Sequence, residues 1–179
     1  MIYREEDTRE EQILEVAGAM MTAARTAPKA CGIDELEIAT VTGTKIKKLA
    51  ETMRDIGAAT GRGFFLRDAD NVENSQAVLL IGTHEKVRAL NCGLCGFATC
   101  AEKISNAPKT LCSFNMNDVG IALGSAAAVA ADHRVDNRMM YSAGVAAEFL
   151  GLLPDCRAIF AIPLSASGKS IYFDRKPKQ

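Results

Sequence analysis

The chain has 179 residues, of which 48% are hydrophobic and 24% are charged. A chain of this length forms about one domain and buries about 70% of its unfolded surface, so it can fold without disulfide bonds. This composition excludes wholesale disorder, collagen and a simple coiled coil. The net charge of −1 lacks the positive field typical of nucleic-acid binding, so we expect no nucleic-acid partner.

The cellular compartment is predicted from the absence of two signals. No apolar run approaches the ~20 residues of a membrane span, so we expect no membrane association. Residues 1–12 are dense in Glu, Asp and Arg, which is unlike a signal peptide. We therefore expect a cytoplasmic protein whose thiols stay reduced. Its six cysteines then need an explanation other than disulfide bonds.

The first half of the chain predicts two helices around one strand. Residues 8–11 have the form of a capping box, and the apolar residues after them predict a helix over 10–24. The alternating run 36–41 predicts a strand, and apolar residues at helical spacing from Ile46 to Ile56 predict the next helix. Residues 68–76 are predicted to be a polar loop. The expected buried face of the first helix is Ile13, Val16, Ala17, Met20 and Ala24.

The second half of the chain predicts two strands and three helices. The apolar run 77–82 is typical of a strand that is buried on both faces. We expect a short helix over 98–107, longer helices over 117–131 and 138–150, and a last strand over 158–162. In the helix 117–131, the run from Gly124 to Ala128 has small side chains, so another helix or a flat ligand should approach it closely. The polar tail 165–179 is a candidate to cross a partner chain.

The alternation of strands and helices predicts the fold class. We expect a mixed α/β sandwich of the α+β class that forms one domain over residues 1–179. A cysteine-rich segment, residues 88–114, is predicted to be an insertion between the strand 77–82 and the helix 117–131.

Four cysteines share this segment in the spacing C-x2-C-x4-C-x11-C: Cys92, Cys95, Cys100 and Cys112. Four thiolates that converge on one small volume can hold iron or zinc at ~2.3 Å. Gly93 and Gly96 suit the tight turn that such convergence needs, because glycine accepts a positive φ without a Cβ clash. Small residues there also let backbone N–H groups approach the sulfur atoms, which influences a reduction potential.

Three interpretations of these cysteines stay open. A [4Fe–4S] cluster matches the number of cysteines and the short loops. A structural zinc site also uses four thiolates, although such sites usually pair two C-x2-C motifs. Redox-active thiols are the third interpretation, and they would leave two of the four cysteines unexplained.

The stretch from Asn91 to Lys103 resembles a four-cysteine [4Fe–4S] domain that occurs in the B component of an electron-transport complex and in the large chain of the corrinoid iron–sulfur protein. Cys92, Cys95, Gly96 and Cys100 match that pattern, and Cys112 takes the place of the fourth ligand. The last gap is shorter than in that family, and no proline follows Cys112. The resemblance implies one [4Fe–4S] cluster bound by the four cysteines.

Two wider resemblances concern the rest of the chain. Residues 27–32, 117–122, 162–165 and 173–175 resemble an uncharacterised prokaryotic family of ferredoxin-domain proteins, which implies cluster binding without an assigned reaction. Residues 24–31 and 118–122 are similar to blocks of the nitroreductase fold, which implies a homodimer that binds FMN. The arginine-rich phosphate motif of that family is missing, and Arg25 stands alone.

The remaining candidates are two cysteines and a histidine. Cys31 is a fifth thiol near the cluster, a reactive thiol or, as we expect, a small residue that is partly buried. Cys156 is expected to be buried. The sequence assigns no role to either cysteine. His84 is expected to be a solvated loop residue, with tuning of a cluster or proton transfer as the alternative.

We therefore expect an iron–sulfur protein that passes electrons to a flavin or to a partner redox protein. The alternatives are an interaction module that zinc stabilises, and an FMN-dependent oxidoreductase of the nitroreductase type. The sequence does not decide whether the chain is an enzyme.

Overall fold

The architecture is known from a computed structural model, which describes residues 1–173. Residues 174–179, which include Asp174 and Arg175 and the end of the polar tail, lie outside the described residues. Four antiparallel strands form one sheet in the order β1-β2-β4-β3. The strands are β1 (Leu36–Val41), β2 (Ala77–Thr83), β3 (Asp136–Asn137) and β4 (Ala158–Ser165).

Helices cover both faces of the sheet, so the mixed α+β sandwich is confirmed. Helices α1 (Glu5–Thr26) and α5 (Ser113–Asp132) cover one face. Helices α2 (Thr44–Thr60), α3 (Gly63–Glu73) and α6 (Tyr141–Phe149) cover the other face. Because β2 lies between two strands and between the two helical layers, all seven of its residues are buried. The short helix α4 (Cys100–Asn106) lies in the cysteine-rich segment.

Helix α1 buries the five residues that its sequence predicts, but it begins five residues earlier than predicted. Thr8 lies inside the helix and is not a capping residue, and its hydroxyl donates to the Glu5 carbonyl oxygen at 3.3 Å. The acidic residues Glu5, Glu6 and Asp7 occupy the first turn, where carboxylates interact favourably with the helix dipole. This interaction explains why the charged segment is helical from Glu5.

The polar loop predicted over 68–76 is wrong, because residues 63–73 form helix α3. Phe65, Ala69 and Val72 lie at helical spacing and are fully buried. The charged residues between them obscure this spacing in the sequence. One of these, Asp68, is itself buried and accepts a hydrogen bond from the Ser142 hydroxyl at 2.6 Å.

The run of small side chains in α5 packs against another helix, which was one of the two predicted possibilities. Ala122, Ala126 and Ala130 are fully buried in the layer that α5 forms with α1. The Ser125 hydroxyl donates to the Ala23 carbonyl oxygen of α1 at 3.0 Å. The outer face of α5 stays exposed, and a Cβ added at Gly124 would contact nothing within 4 Å.

Helix α6 begins at Tyr141 rather than Arg138, because the chain before it is extended and pairs with β4. The Met140 N–H donates to the Ala161 carbonyl oxygen at 2.8 Å. Helix α6 ends at Phe149, and Gly151 follows with a φ of 63°, as the predicted C-cap requires. Gly144 lies directly against the backbone of Ile159 and Phe160 in β4, so the helix and the strand approach closely.

Replacing Gly144 by Ala should destabilise the fold by about 3 kcal/mol, because the new methyl group would overlap the Ile159 carbonyl and the backbone would have to shift. The matched control is Gly18→Ala in α1, where an added Cβ meets nothing within 4 Å. That variant should gain about 0.5–1 kcal/mol from helix propensity. Urea unfolding followed by circular dichroism measures both, and equal stability of the two variants would contradict the packing described.

Candidate functional site

The cysteine-rich segment connects the end of β2 to the beginning of α5. The predicted short helix within it is confirmed as α4, which begins at Cys100. Thr99 caps this helix, because its hydroxyl oxygen accepts the Glu102 N–H at 3.1 Å. The Glu102 carboxylate in turn accepts the Ala98 N–H at 3.0 Å. These two bonds hold Cys100 at the first position of the helix.

All four predicted ligands line one recess. Cys112 is buried, Cys95 and Cys100 are half-buried, and Cys92 is exposed. Thiols from a turn, from the beginning of α4 and from the beginning of α5 thus face the same space. The side chains of Val87 and Phe97 add apolar surface to its wall.

The four sulfur atoms do not cluster as closely as the ligands of a single ion would. Within residues 1–173, the only three metal-ligating side chains whose donor atoms lie within 4.8 Å of one another belong to a different group at the end of the sheet. No three of the four cysteine sulfurs are therefore that close. A tetrahedral zinc ion with bonds of ~2.3 Å would hold its sulfurs about 4 Å apart.

Residues with positive φ shape the turn that carries Cys92 and Cys95. Gly93 and Gly96 have φ values of 74° and 88°, and the Gly96 N–H donates to the Gly93 carbonyl oxygen at 3.0 Å. Asn91, with a φ of 48°, makes two bonds to Cys100. The Asn91 N–H donates to the Cys100 sulfur at 3.3 Å, and the Asn91 side-chain oxygen accepts the Cys100 N–H at 2.9 Å.

Helix termini place positive potential at two of the cysteines. Cys112 is the N-cap residue of the 20-residue helix α5, and its carbonyl oxygen accepts the Asn115 N–H at 2.9 Å. The partial positive charge of a helix N-terminus interacts favourably with negative charge nearby. Cys100 lies at the first position of the shorter helix α4. Two helix N-termini therefore lie at the recess.

A buried lysine lies beside the recess. Lys103 lines it and is only 1% exposed, and its ammonium group donates to the Glu85 carboxylate. The ion pair connects α4 to the chain that follows β2. A buried cation of this kind has to be paired, since its desolvation is otherwise uncompensated.

A second buried ion pair connects the two ends of the cysteine-rich segment. The Arg88 guanidinium donates to the Asp118 carboxylate at 3.0 Å, and both side chains are almost fully buried. Arg88 also donates to the Ile33 carbonyl oxygen at 3.0 Å, and Asp118 accepts the Ala30 N–H at 3.0 Å. The pair therefore joins the segment to the loop before β1 and to α5.

Sequence reasoning did not predict these supporting residues. Asn91, Arg88 and Lys103 have no spacing signature, and each acts through a partner that is distant in sequence or through its backbone. Asp118 belongs to a block that resembles known families, which was the one signal for it. Its role as the partner of Arg88 depends on a separation of 30 residues and was not predicted.

Cys31 differs from its expectation, because its side chain is exposed and not partly buried. It lies in a short 3-10 turn with a φ of 59°, which is unusual for a residue with a Cβ. It does not belong to the residues that line the recess. The expectation failed because the preference of free cysteine for the interior carries no information about this surface turn.

Cys156 is buried as expected, and its sulfur lies against Gly82 of β2. Burial raises the pKa of the Cys156 thiol to about 12. His84 is not a solvated loop residue, since its imidazole Nε2 lies 2.8 Å from a Glu37 carboxylate oxygen and its side chain is only 35% exposed. Glu37, His84 and Cys156 are the group with donor atoms within 4.8 Å of one another.

Arg25 is engaged within the chain. Its guanidinium donates to the Asp34 carboxylate at 2.7 Å and to the Leu36 carbonyl oxygen at 2.9 Å. The neighbouring Lys29 ammonium donates to the carbonyl oxygens at the end of α1, including that of Ala27 at 2.7 Å. These two cations therefore stabilise the junction between α1 and β1.

Several solved structures have a similar fold, and their names are those of oxidoreductases and nitroreductases. A hypothetical oxidoreductase from Bacillus subtilis superposes with a TM-score of 0.58 and 18% identity, over 92% of this chain and 61% of that chain. A nitroreductase family protein from Clostridium novyi superposes with a TM-score of 0.60 and 14% identity, over 89% of this chain and 76% of that chain. For the NADPH:FMN oxidoreductase from Vibrio harveyi, the TM-score is 0.53 and the identity 14%, over 92% of this chain and 63% of that chain. The chain thus has a nitroreductase-like fold and spans less than two thirds of the Bacillus and Vibrio proteins.

Sequence comparison identifies the family. A family described as uncharacterized proteins containing a ferredoxin domain (DUF2148) matches residues 109–175, which include Cys112. An uncharacterized protein from Archaeoglobus fulgidus is 43% identical over an alignment of 186 residues that covers both chains completely. The chain belongs to this family of ferredoxin-domain proteins, as the resemblance in its sequence predicted.

Replacing Asp118 by Ala should destabilise the protein by about 3–5 kcal/mol, because it removes the carboxylate that pairs with Arg88 at 3.0 Å. The Glu35 carboxylate, 3.9 Å from Arg88 Nη1, is then the nearest negative charge to the buried guanidinium. The loss of stability should be large because Arg88 Nε and Nη1 have no hydrogen-bond partner among the described residues. The guanidinium therefore depends on the bonds that its Nη2 makes. Urea unfolding measures the loss. The double variant Arg88→Met, Asp118→Leu should recover much of it, and a double variant as unstable as Asp118→Ala would contradict this account.

The two remaining cysteines should differ in reactivity. At pH 8 a thiol with a pKa of about 12 is ionised in about one molecule in ten thousand, so the buried Cys156 should resist alkylation while the exposed Cys31 reacts. Iodoacetamide labelling with a chelator present, read by peptide mass spectrometry, measures both sites. Labelling of Cys156 should appear in urea, and equal rates for the two cysteines in the folded protein would contradict the prediction.

Proposed function

We propose that the protein is an electron-transfer protein that holds one [4Fe–4S] cluster through Cys92, Cys95, Cys100 and Cys112. The observation that carries the proposal is that these four thiols line a single recess while no three of their sulfurs lie within 4.8 Å of one another, as the ligands of one zinc ion would. A cluster of four irons binds one thiolate at each iron and therefore needs the wider spacing. Membership in a ferredoxin-domain family supports the same cofactor.

The environment of the recess fits a negatively charged cluster. The N-termini of α4 and α5 lie at Cys100 and Cys112, where their partial positive charge would interact favourably with the charge of a bound cluster. The Asn91 N–H, which donates to the Cys100 sulfur, would raise the reduction potential by favouring the more negative state. When bound, the cluster would accept and release one electron. The thiols act as ligands in this proposal and not as nucleophiles.

A partner redox protein is the electron acceptor that the surface favours. Leu90, Leu94 and Ile104 lie within the cysteine-rich segment and are exposed. Exposed apolar side chains near a redox centre are suited to a transient protein contact. We also propose that residues 88–114 act as a cluster-binding insertion within a single domain, and that the protein works in the cytoplasm, where reduced thiols persist. Among the described residues, no helix has the length and apolar character that a bilayer crossing requires.

A second candidate is an FMN-dependent oxidoreductase of the nitroreductase type, with the cluster as an accessory centre. The fold supports it, and so does the outer face of α5, where Gly120, Ile121 and Gly124 are exposed and suit the close packing of a homodimer. The single arginine of the expected phosphate segment does not fit, because Arg25 is already bonded to Asp34 and Leu36. We therefore place this candidate second.

Anaerobic purification or reconstitution should give about four iron atoms and four acid-labile sulfides per chain, with the broad visible absorbance and EPR signal of a [4Fe–4S] cluster. Single Cys→Ser substitutions at positions 92, 100 and 112 should reduce iron binding strongly, because each removes one ligand. The matched control is Cys31→Ser, since Cys31 is exposed and does not line the recess.

Three results would contradict the proposal in different ways. Stoichiometric zinc without visible absorbance after anaerobic reconstitution would favour the zinc-stabilised interaction module. Stoichiometric FMN in a homodimer without iron would favour the second candidate. Equal iron content in Cys112→Ser and Cys31→Ser would remove Cys112 from the ligand set.

A further inference from the structure

Three potential metal ligands meet at one end of the sheet, outside the four-cysteine recess. Glu37 belongs to β1, His84 directly follows β2, and Cys156 precedes β4. One donor atom of each lies within 4.8 Å of the other two, and Cys156 is only 4% exposed. Three segments that are distant in sequence thus converge through the pairing of their strands.

The strand register explains how the three side chains meet. Glu37 is paired with Gly82, and His84 lies two residues after Gly82 on the same face of the sheet. Gly82 has no side chain, and the Cys156 sulfur occupies the space above it. A Cβ at this position would lie 2.6 Å from that sulfur. Gly82 therefore makes room for the thiol between the other two ligands.

The donor set identifies the class of ion. A thiolate, an imidazole and a carboxylate are the three side-chain donors that Zn²⁺ uses in proteins. Mg²⁺ and Ca²⁺ prefer oxygen donors only, so the sulfur disfavours them. The thiolate and the carboxylate together carry two negative charges, which a divalent cation neutralises. The ion would also replace the proton between His84 and Glu37 and the proton of the buried thiol.

A further carboxylate orients the histidine. Glu35 lies with one oxygen 3.6 Å from His84 Nδ1, while Nε2 faces Glu37. The Lys86 ammonium holds Glu35 at 3.0 Å. Metal-ligating histidines commonly have a carboxylate near the second ring nitrogen, which keeps the proton there and leaves the first nitrogen for the ion.

We propose that Glu37, His84 and Cys156 form a second metal site, which binds one Zn²⁺ ion or a similar divalent transition-metal ion. The His84 and Glu37 side chains are about one third exposed, so the ion reaches the buried sulfur from solvent. Three protein ligands leave the fourth tetrahedral position to water, as in zinc sites that act on a substrate. This site is independent of the proposed cluster.

The test uses Co²⁺, which reports sulfur ligation through a charge-transfer band, in full-length protein carrying Cys92→Ser and Cys100→Ser so that no cluster forms. One equivalent should bind with a sulfur-to-cobalt band, and Zn²⁺ should displace it. Adding Cys156→Ser should abolish that band. Zn²⁺ affinity is measured by competition with a chromophoric chelator. Adding His84→Ala should weaken Zn²⁺ binding at least about tenfold, and adding Glu35→Gln should weaken it about tenfold.

The matched control is Cys31→Ser in the same background, which should leave both the band and the affinity unchanged. Circular dichroism in the presence of a chelator checks that each variant is folded. His84→Ala decides the result if Cys156→Ser does not fold, because His84 is partly exposed and its removal leaves no cavity in the core. An unchanged cobalt band and zinc affinity in His84→Ala would overturn the proposal.

Discussion

The buried ion pair between Arg88 and Asp118 is the interaction on which the four-cysteine recess depends. Arg88 precedes Cys92 by four residues, and Asp118 follows Cys112 by six. The pair therefore closes the loop that contains all four cysteines and holds its two ends together at 3.0 Å. Because the loop is closed through α5, the N-terminus of that helix and its capping residue Cys112 lie beside the turn that carries the other thiols.

Within this closed loop, helix N-termini and one backbone N–H group lie at the cysteines. Cys112 precedes α5, Cys100 begins α4, and the Asn91 N–H donates to the Cys100 sulfur. The nearby lysine, Lys103, is neutralised by Glu85, so the recess relies on partial charges rather than on a free cation. This arrangement is compatible with electron transfer, since fixed dipoles do not have to reorganise when the charge of a cofactor changes.

The sheet determines where the second group of proposed ligands lies. Glu37, His84 and Cys156 meet because β1, β2 and the segment before β4 are adjacent in an antiparallel register and because Gly82 has no side chain. Glu85, which pairs with Lys103 of the recess, directly follows His84 of this group. The chain after β2 thus lies between the two proposed sites, and the nitroreductase-like sheet supports both.

Elements whose signal is local were predictable from the sequence. The buried face of α1, the continuous apolar run of β2 and the spacing from Cys92 to Cys112 can each be read from one stretch of the chain, and the family resemblance follows from short blocks such as residues 27–32 and 117–122. Helix α3 was missed because Asp68 lies on its buried face, where the Arg67 guanidinium and the Ser142 hydroxyl from another helix both donate hydrogen bonds to its carboxylate. The Arg88–Asp118 pair and the proximity of Glu37, His84 and Cys156 were decided by the tertiary structure alone. Their physical basis is the pairing of charges and donors from segments far apart in the chain, which no periodicity or local spacing records.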